Sequence, residues 1–556
     1  MIRPWTLALC LGGCVGFAVL SAAQTSSRTV VFSEAAFPSA DSAATAHAAS
    51  LLPGAQAANA EQLPGLLRSA DTQLLVLPYG SAFPEAAWAE IHQYLQRGGN
   101  LLVIGGRPFT RSAYRDQSGW HLRDYNVRFA RALMIDQYQT TPGSDGLSFQ
   151  KNPDLPVELS SFSWKNAFSP VIRLSATDLY HRGGAAGSID ARIDAIAWGV
   201  KDGRKLSAPV IEIDHLRNGF DDGRWIFVNA DLPTNFIGAN AGPIIQALAA
   251  RALLGSEEFL VRPVLPLYLP GEPIQLDVTW HTGRATSTPL TVKIATFQQD
   301  QPSQRSETSA LIPPGGAVYL RAPSGNGLYT VEAELLEGST VRARYRSGFW
   351  IRDETYLRSG PRLSVNQNYF ERDGKPFAVV GTTYMSSEVQ RLYFEYPNVY
   401  LWNQEMTQIH SAGLNMIRTG WWTGWDKFCN ENGAPYDRTL RTLEAYLMTA
   451  RRNGLPVQFN FFAFLPEVLG GVNPYLDPGA VQRQRTLISS VVARFHDVPF
   501  LAWDFINEPS ISEHLWTMRP NGDPIELAAW NEWLSKRYRD RAALAAAWNL
   551  AVSSVE

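Results

Sequence analysis

The segment Phe500-Leu501-Ala502-Trp503-Asp504-Phe505-Ile506 runs into Asn507-Glu508-Pro509. A mostly apolar run of this length reads as a buried strand, and proline stops strand pairing. Such a strand presents one carboxyl and one amide at its mouth. A carboxyl held there has its pKa raised and can donate a proton near neutral pH. Glu508 is thus the candidate catalytic acid, and Asn507 the amide that orients a ligand beside it. Asn-Glu-Pro also occurs as a capped turn, so the strand before it is what gives the motif chemical meaning. Asp504 reads as strand packing, and His514 as a loop residue.

The elements before it repeat one unit. Tyr369-Phe370-Glu371-Arg372-Asp373-Gly374-Lys375-Pro376-Phe377 is a hairpin with Asp-Gly at its turn. Strands are expected at 377–382, 415–418, 457–462 and 500–506. Helices between them are expected at 401–412, ended by Gly413, and through Leu440, Leu443, Leu447 and Ala450, ended by Gly454. Asp477-Pro478 caps the next, which carries Val481, Ile488, Val491 and Phe495. Asp523-Pro524-Ile525-Glu526 opens a further helix with the letters of a capping box. Four strand–helix units in a row predict the first half of a (β/α)₈ barrel.

In a barrel the strand C-terminal ends line the site. Those ends bring Tyr384, Arg418, Trp421, Trp422, Trp425, Asn460 and Asn507-Glu508 to one rim. One carboxyl, two amides, a guanidinium and several indoles suit a sugar, whose hydroxyls take polar partners and whose C–H faces pack on aromatic rings. Arg418 also fits an ordinary ion pair, and the tryptophans fit a core.

The hairpin, Gly413-Leu414-Asn415-Met416-Ile417-Arg418 and Trp503-Asp504-Phe505-Ile506-Asn507-Glu508-Pro509 together resemble clan A glycoside hydrolases, over residues 369 to 556. This clan of retaining barrel glycosidases includes family 5, family 2 and the family 42 β-galactosidases. The resemblance implies Glu508 as acid/base, Asn507 on the sugar 2-hydroxyl and Arg418 in support of the nucleophile. Asn-Glu-Pro leans toward families 5 and 2. Trp530-Asn531-Glu532-Trp533-Leu534 through Tyr538, Leu544 and Trp548 looks more like family 42. The clan takes its nucleophile from strand seven. The barrel region here is shorter than the roughly 250 residues of a complete barrel. The expectation is that the nucleophile is not in this chain, and Glu556 is a poor substitute for it.

The remaining sequence bounds the setting. With 45% hydrophobic and 18% charged residues, the chain of 556 is globular and long enough for several domains. A net charge of −3 gives no basic footprint for nucleic acid or an anionic membrane. Met1-Ile2-Arg3, an uncharged apolar stretch and Ser21-Ala22-Ala23 read as a signal peptide over 1–23, cleaved before Gln24. A lipoprotein site at Leu11-Gly12-Gly13-Cys14 and a membrane anchor are the alternatives. Export makes the protein secreted or periplasmic, with no membrane contact after cleavage. Cys10 and Cys14 lie in the leader and Cys429 stands alone, so neither a disulfide framework nor a zinc spacing is present. No metal or organic cofactor is implied.

Residues 24–257 alternate strands and helices, which predicts a parallel α/β domain. It resembles the glutamine-amidotransferase-like fold, non-catalytic versions of which accompany some β-galactosidases. Gly105-Gly106-Arg107 stands where that family has its cysteine, so the resemblance implies no amidotransferase chemistry. Residues 258–352 switch to period two, as in Ile274, Leu276, Val278 and Trp280, and predict a β-sandwich that either binds sugar or braces its neighbours. Residues 353–556 are the partial barrel. The expected partners are an oligo- or polysaccharide and a second chain completing the barrel. The resemblance implies β-galactosidase-like retaining hydrolysis. A glucanase- or mannanase-like enzyme and a non-catalytic carbohydrate-binding or scaffolding protein are the alternatives.

Overall fold

The computed structural model describes residues 29–39, 48–173, 175, 189–233, 236, 241–284, 288–311, 315–422, 425–462, 472–507 and 522–554. The leader at 1–23, Glu508, Pro509, His514 and Glu556 lie outside the described residues, as does the side chain of Trp425. The architecture is mixed α/β, built on several separate sheets.

The first part is an eight-stranded sheet. Its order is Gln56–Ala58, Thr29–Phe32, Leu74–Leu77, Asn100–Ile104, Arg224–Val228, Arg204–His215, Ala191–Lys201 and Ser148–Lys151. The first five strands are parallel, and the last three extend the sheet antiparallel. Period-two alternation divides the central strands between two cores. Phe32, Leu75, Leu101, Val103, Trp225 and Phe227 face one, which holds Ile91 and Leu95 of helix Trp88–Gln96. Val31, Val76, Leu102, Ile226 and Val228 face the other, under helix Ala241–Ala252.

The sequence expectation of a parallel sheet holds for five strands and is corrected for three. Ala191–Lys201 and Arg204–His215 carry the charged residues Arg192, Asp194, Glu212 and Asp214. Glu212 and Asp214 are buried and paired, whereas Arg192 and Asp194 are half-buried and stand 3.7 Å apart. Arg224 grips Asp214 through Nε and Nη2 at 2.7 and 2.8 Å, and Arg251 grips Glu212 at 3.0 and 2.9 Å.

Two sheets follow, one of three strands (Glu257–Pro263, Ile274–Thr282, Gly316–Leu320) and one of five. Their shared core contains Phe259, Leu276, Val292, Val331 and Phe349. The carboxylate of Glu257 accepts from Arg251 and from Arg342 of strand Thr340–Ile351, tying this part to the first sheet.

The last sheet has four parallel strands: Gly381–Thr383, Met416–Gly420, Val457–Phe462 and Leu501–Ile506. The burial expected of the last is corrected: as an edge strand among the described residues it is half exposed, Phe505 to 60%. Helices Val399–Ser411, Asp437–Arg452 and Pro478–Phe495 connect them. Local chemistry accounts for these elements. Asp373 and Gly374, at φ 52° and 73°, form the left-handed hairpin turn that Asp-Gly favours. Asp477 accepts from the amides of Gly479 and Ala480, and Asp523 from those of Ile525 and Glu526. The expected strand over 377–382 is shorter than read and pairs only at Gly381–Thr383. Its start is diverted because the Val380 amide donates to the side chain of Asn415.

Ile417, Val457, Phe459 and Phe461 point toward the helices and form the core with Leu443, Leu447 and Val491. By alternation Arg418, Gly420, Gln458, Asn460 and Asp504 share the opposite face. No described helix is long and apolar enough to cross a membrane.

Candidate active site

The opposite face carries the polar constellation. Arg418, on the second strand, donates from Nε (2.9 Å) and Nη2 (2.6 Å) to Oδ2 of Asp504 on the fourth. The same Nη2 donates to Oδ1 of Asn507 at 3.0 Å. Arginine is donor-only, which fixes the Asn507 amide with its oxygen inward and its NH2 available to a ligand. The Asn507 main chain is held as well, by N–H donation to the Phe462 carbonyl at 2.8 Å. Asp504 neutralises the guanidinium, so the rim presents oriented hydrogen-bonding groups without a large net charge.

Trp422 flanks this cluster from the core, where it is buried, with the Arg418 guanidinium 5.3 Å from its ring centroid. Its indole N–H donates to the Tyr393 hydroxyl at 3.1 Å. Burial raises Tyr393 to about 12, so that hydroxyl stays protonated. Tyr393 also meets Thr419 and the Gly420 carbonyl, which ties the end of the second strand to the segment before the first helix.

Asn460 pairs in register with Asp504 on one side and Gly420 on the other. Its side chain is fully buried, and both amide atoms lack a hydrogen-bond partner among the described residues. An unsatisfied buried amide is costly, and a ligand hydroxyl or a water bound there would remove that cost. Gly420 makes room for it. A Cβ at that position would lie 2.4 Å from the Asn460 carbonyl oxygen and 2.8 Å from its Cβ.

Neither a family model nor a curated protein matches this chain. Solved structures do. The glycoside hydrolase GH5_18 from Bifidobacterium longum is similar at 17% identity and a TM-score of 0.23, covering 27% of this chain and 39% of that one. GH5_18 from Streptomyces cattleya, solved with GlcNAc, has 18% identity and a TM-score of 0.23 over 28% and 39%. A family 39 glycoside hydrolase from Bacteroides cellulosilyticus has 11% identity and a TM-score of 0.18 over 46% and 45%. The chain spans less than half the length of each of these structures.

Of the residues singled out from sequence, the structure gathers Arg418, Asn507 and Trp422, with Asn460 beside them. Glu508 follows Asn507 directly and lies outside the described residues. Trp421 is wholly buried, stacked on Phe428 at 5.4 Å, and belongs to the core. Tyr384 is buried as well. Its hydroxyl donates to Glu405, and burial raises that carboxyl above its usual range. Asp504 is the residue that sequence reading assigned to packing and the structure places at the centre of the cluster. The available signal was its parity. Asp504 and Arg418 fall on the same face once the strands are in register. Among the described residues no group of three His, Cys, Asp or Glu side chains could hold a metal ion.

Proposed function

We propose that this chain is an exported protein of the glycoside hydrolase type, whose reaction is retaining, β-galactosidase-like hydrolysis of β-glycosidic bonds. The observation that carries the reading is the double grip of Arg418 on Asp504 and Asn507, which presents the Asn507 amide at the mouth of a parallel, half-exposed strand. In this reading the four-stranded sheet is the first half of a (β/α)₈ barrel. Asn507 holds a sugar hydroxyl, and Glu508 protonates the leaving oxygen and later activates water. Retaining hydrolysis needs a second carboxyl about 5–5.5 Å from the first. Asp504 is engaged by Arg418 and is not free to attack; in this reading the nucleophile comes from a further segment or a second chain.

The test is an assay of the 556-residue chain on aryl β-galactoside, β-glucoside and β-mannoside, with sugar binding measured in parallel. Binding without enzyme-like turnover is expected from this chain alone. Turnover abolished by Glu508→Gln would overturn the placement of the nucleophile outside it. Absence of both binding and turnover would overturn the whole reading. A second reading, a non-catalytic sugar-binding protein, is favoured by the engagement of Asp504. It predicts that Glu508→Gln leaves every property of any longer or completed form unchanged.

A further inference from the structure

A second polar cleft lies far along the chain from the Arg418 rim. It has a volume of about 540 Å³ and sits beside the hairpin Arg111–Asp116 and Gly119–Leu122 in the first part of the chain. That is within the range of roughly 300–1,000 Å³ usual for small-molecule sites. Its wall is built by a fixed network. Ser112 donates to Glu85 at 2.8 Å, Arg123 donates to the same carboxylate, and the Arg123 guanidinium stands 4.4 Å from the centroid of the Tyr114 ring. Arg123 holds Glu85 below the usual carboxylate range, against the opposing effect of its partial burial.

The segment that closes the cleft is pinned to the strand behind it. The amides of Arg123 and Asn126 donate to the carbonyls of Ser112 and Thr110 at 2.9 and 2.8 Å. Asn126 is turned by accepting from the Arg128 amide at 2.7 Å, which directs its NH2 away from that bond. Phe109, next to Thr110 in this wall, is buried at φ 58°, a conformation a bulky side chain adopts only when its surroundings impose it.

Against this fixed wall, the carboxylate of Asp124, the guanidinium of Arg128 and the hydroxyl of Tyr125 line the cleft. None of the three makes a hydrogen bond or ion pair with a described residue. The Tyr125 ring is half exposed, and Leu122 and Phe129 supply apolar surface. Of the lining side chains, Glu85 and Asp124 are carboxylates and Arg123 and Arg128 are guanidiniums, and a third guanidinium, Arg107, stands 5.7 Å from the centroid of the Tyr125 ring. The carboxylates of the wall oppose a phosphate or sulfate, and its guanidiniums oppose a cation. A neutral molecule with many hydroxyls can accept from the guanidinium and amide, donate to the carboxylate and place its C–H face on the phenol.

We infer that this cleft binds a short neutral saccharide, and that the first part of the chain is a carbohydrate-binding module in its own right. The inference draws on no property of the Arg418 rim. The experiment therefore uses the full chain carrying Arg418→Ala and Asn507→Ala, titrated with methyl β-D-galactopyranoside, cellobiose, mannobiose and inorganic phosphate by saturation-transfer NMR and calorimetry. Saturable binding of at least one sugar is expected, in the range of about 1 mM typical of a few hydrogen bonds on an open surface. Adding Tyr125→Ala and Arg128→Ala should weaken it about tenfold or more, the loss expected for a hydrogen bond to a charged group plus a ring contact. Asp124→Asn, a near-isosteric change on an exposed loop, serves as the second variant if that double substitution lowers the melting temperature. No sugar binding in the rim-deficient chain, binding indifferent to Tyr125, Arg128 and Asp124, or preference for phosphate would each overturn the inference. Binding seen only when Arg418 and Asn507 are intact would overturn it while leaving the rim reading standing.

Discussion

Arg418 places two of its donors on a single oxygen of Asp504 and turns the second of them toward Asn507 as well. The two strand ends are locked by one guanidinium, and the orientation of the Asn507 amide follows from where the arginine is held. Asp504 is therefore a positioning residue whose effect on a ligand passes through Arg418.

Replacing Asp504 by Ala should lower stability by about 1–3 kcal/mol, since it leaves a half-buried guanidinium without its anion. Urea denaturation followed by tryptophan fluorescence measures this. Asp504→Asn should retain part of the loss, because one hydrogen bond to Arg418 can persist without the charge.

Gly420 tests the packing beneath the site. A methyl group there meets the Asn460 carbonyl at 2.4 Å, so Gly420→Ala requires two strands to separate. The expected cost is about 1–3 kcal/mol, as for other overpacked positions. A melting temperature equal to that of the parent would contradict this account of the strand contact.

Glu444 tests the brace between the sandwich and the last sheet. It is fully buried on helix Asp437–Arg452 and accepts two hydrogen bonds from Arg352, at 2.6 and 2.8 Å, and one from Arg494 at 2.8 Å. Glu444→Ala leaves two cations facing each other and should cost about 3–5 kcal/mol. Limited proteolysis should then cut near residue 352 faster than in the parent.

His215 sets a pH dependence. Burial lowers it from the ordinary histidine value of about 6.5 to about 3 in the folded chain, and its ring centroid lies 3.9 Å from that of Trp225. Below about pH 6.5 the unfolded chain takes up a proton that the folded chain refuses, so stability falls as pH drops, by up to about 1.4 kcal/mol per unit. Buried carboxyls such as Glu405, raised in the folded chain, act in the opposite sense, so the contribution of His215 is read as the difference between parent and variant between pH 6 and 5. His215→Leu should flatten the slope of unfolding free energy there, and an unchanged slope would show that His215 is not its source.

Much of the scaffold was legible because it is local. Val457–Phe462 and Leu501–Ile506 are apolar runs of strand length, and Asp477-Pro478 and Asp523-Pro524 announce helices that the structure begins there. What was not legible depends on partners distant in sequence. The antiparallel strands of the first sheet carry Glu212 and Asp214, whose burial depends on Arg251 and Arg224 of other elements. Tyr384 and Trp421 sit at strand ends that suggested a rim, yet packing turns both inward. Asp504 looked like strand filling because Arg418, which defines its role, lies on a strand that only the register brings near.

The central claim is that the amide of Asn507, aimed by Arg418 and Asp504, holds a sugar hydroxyl. The most direct measurement is the affinity of the 556-residue chain for methyl β-D-galactopyranoside, methyl β-D-glucopyranoside and methyl β-D-mannopyranoside, with and without Asn507→Ala. Tyr125→Ala and Arg128→Ala are present throughout, so that the other cleft does not contribute. The account predicts saturable binding of at least one of these sugars that Asn507→Ala weakens about tenfold, the worth of one well-placed hydrogen bond. An affinity unchanged by Asn507→Ala, in a chain that still folds, would contradict it.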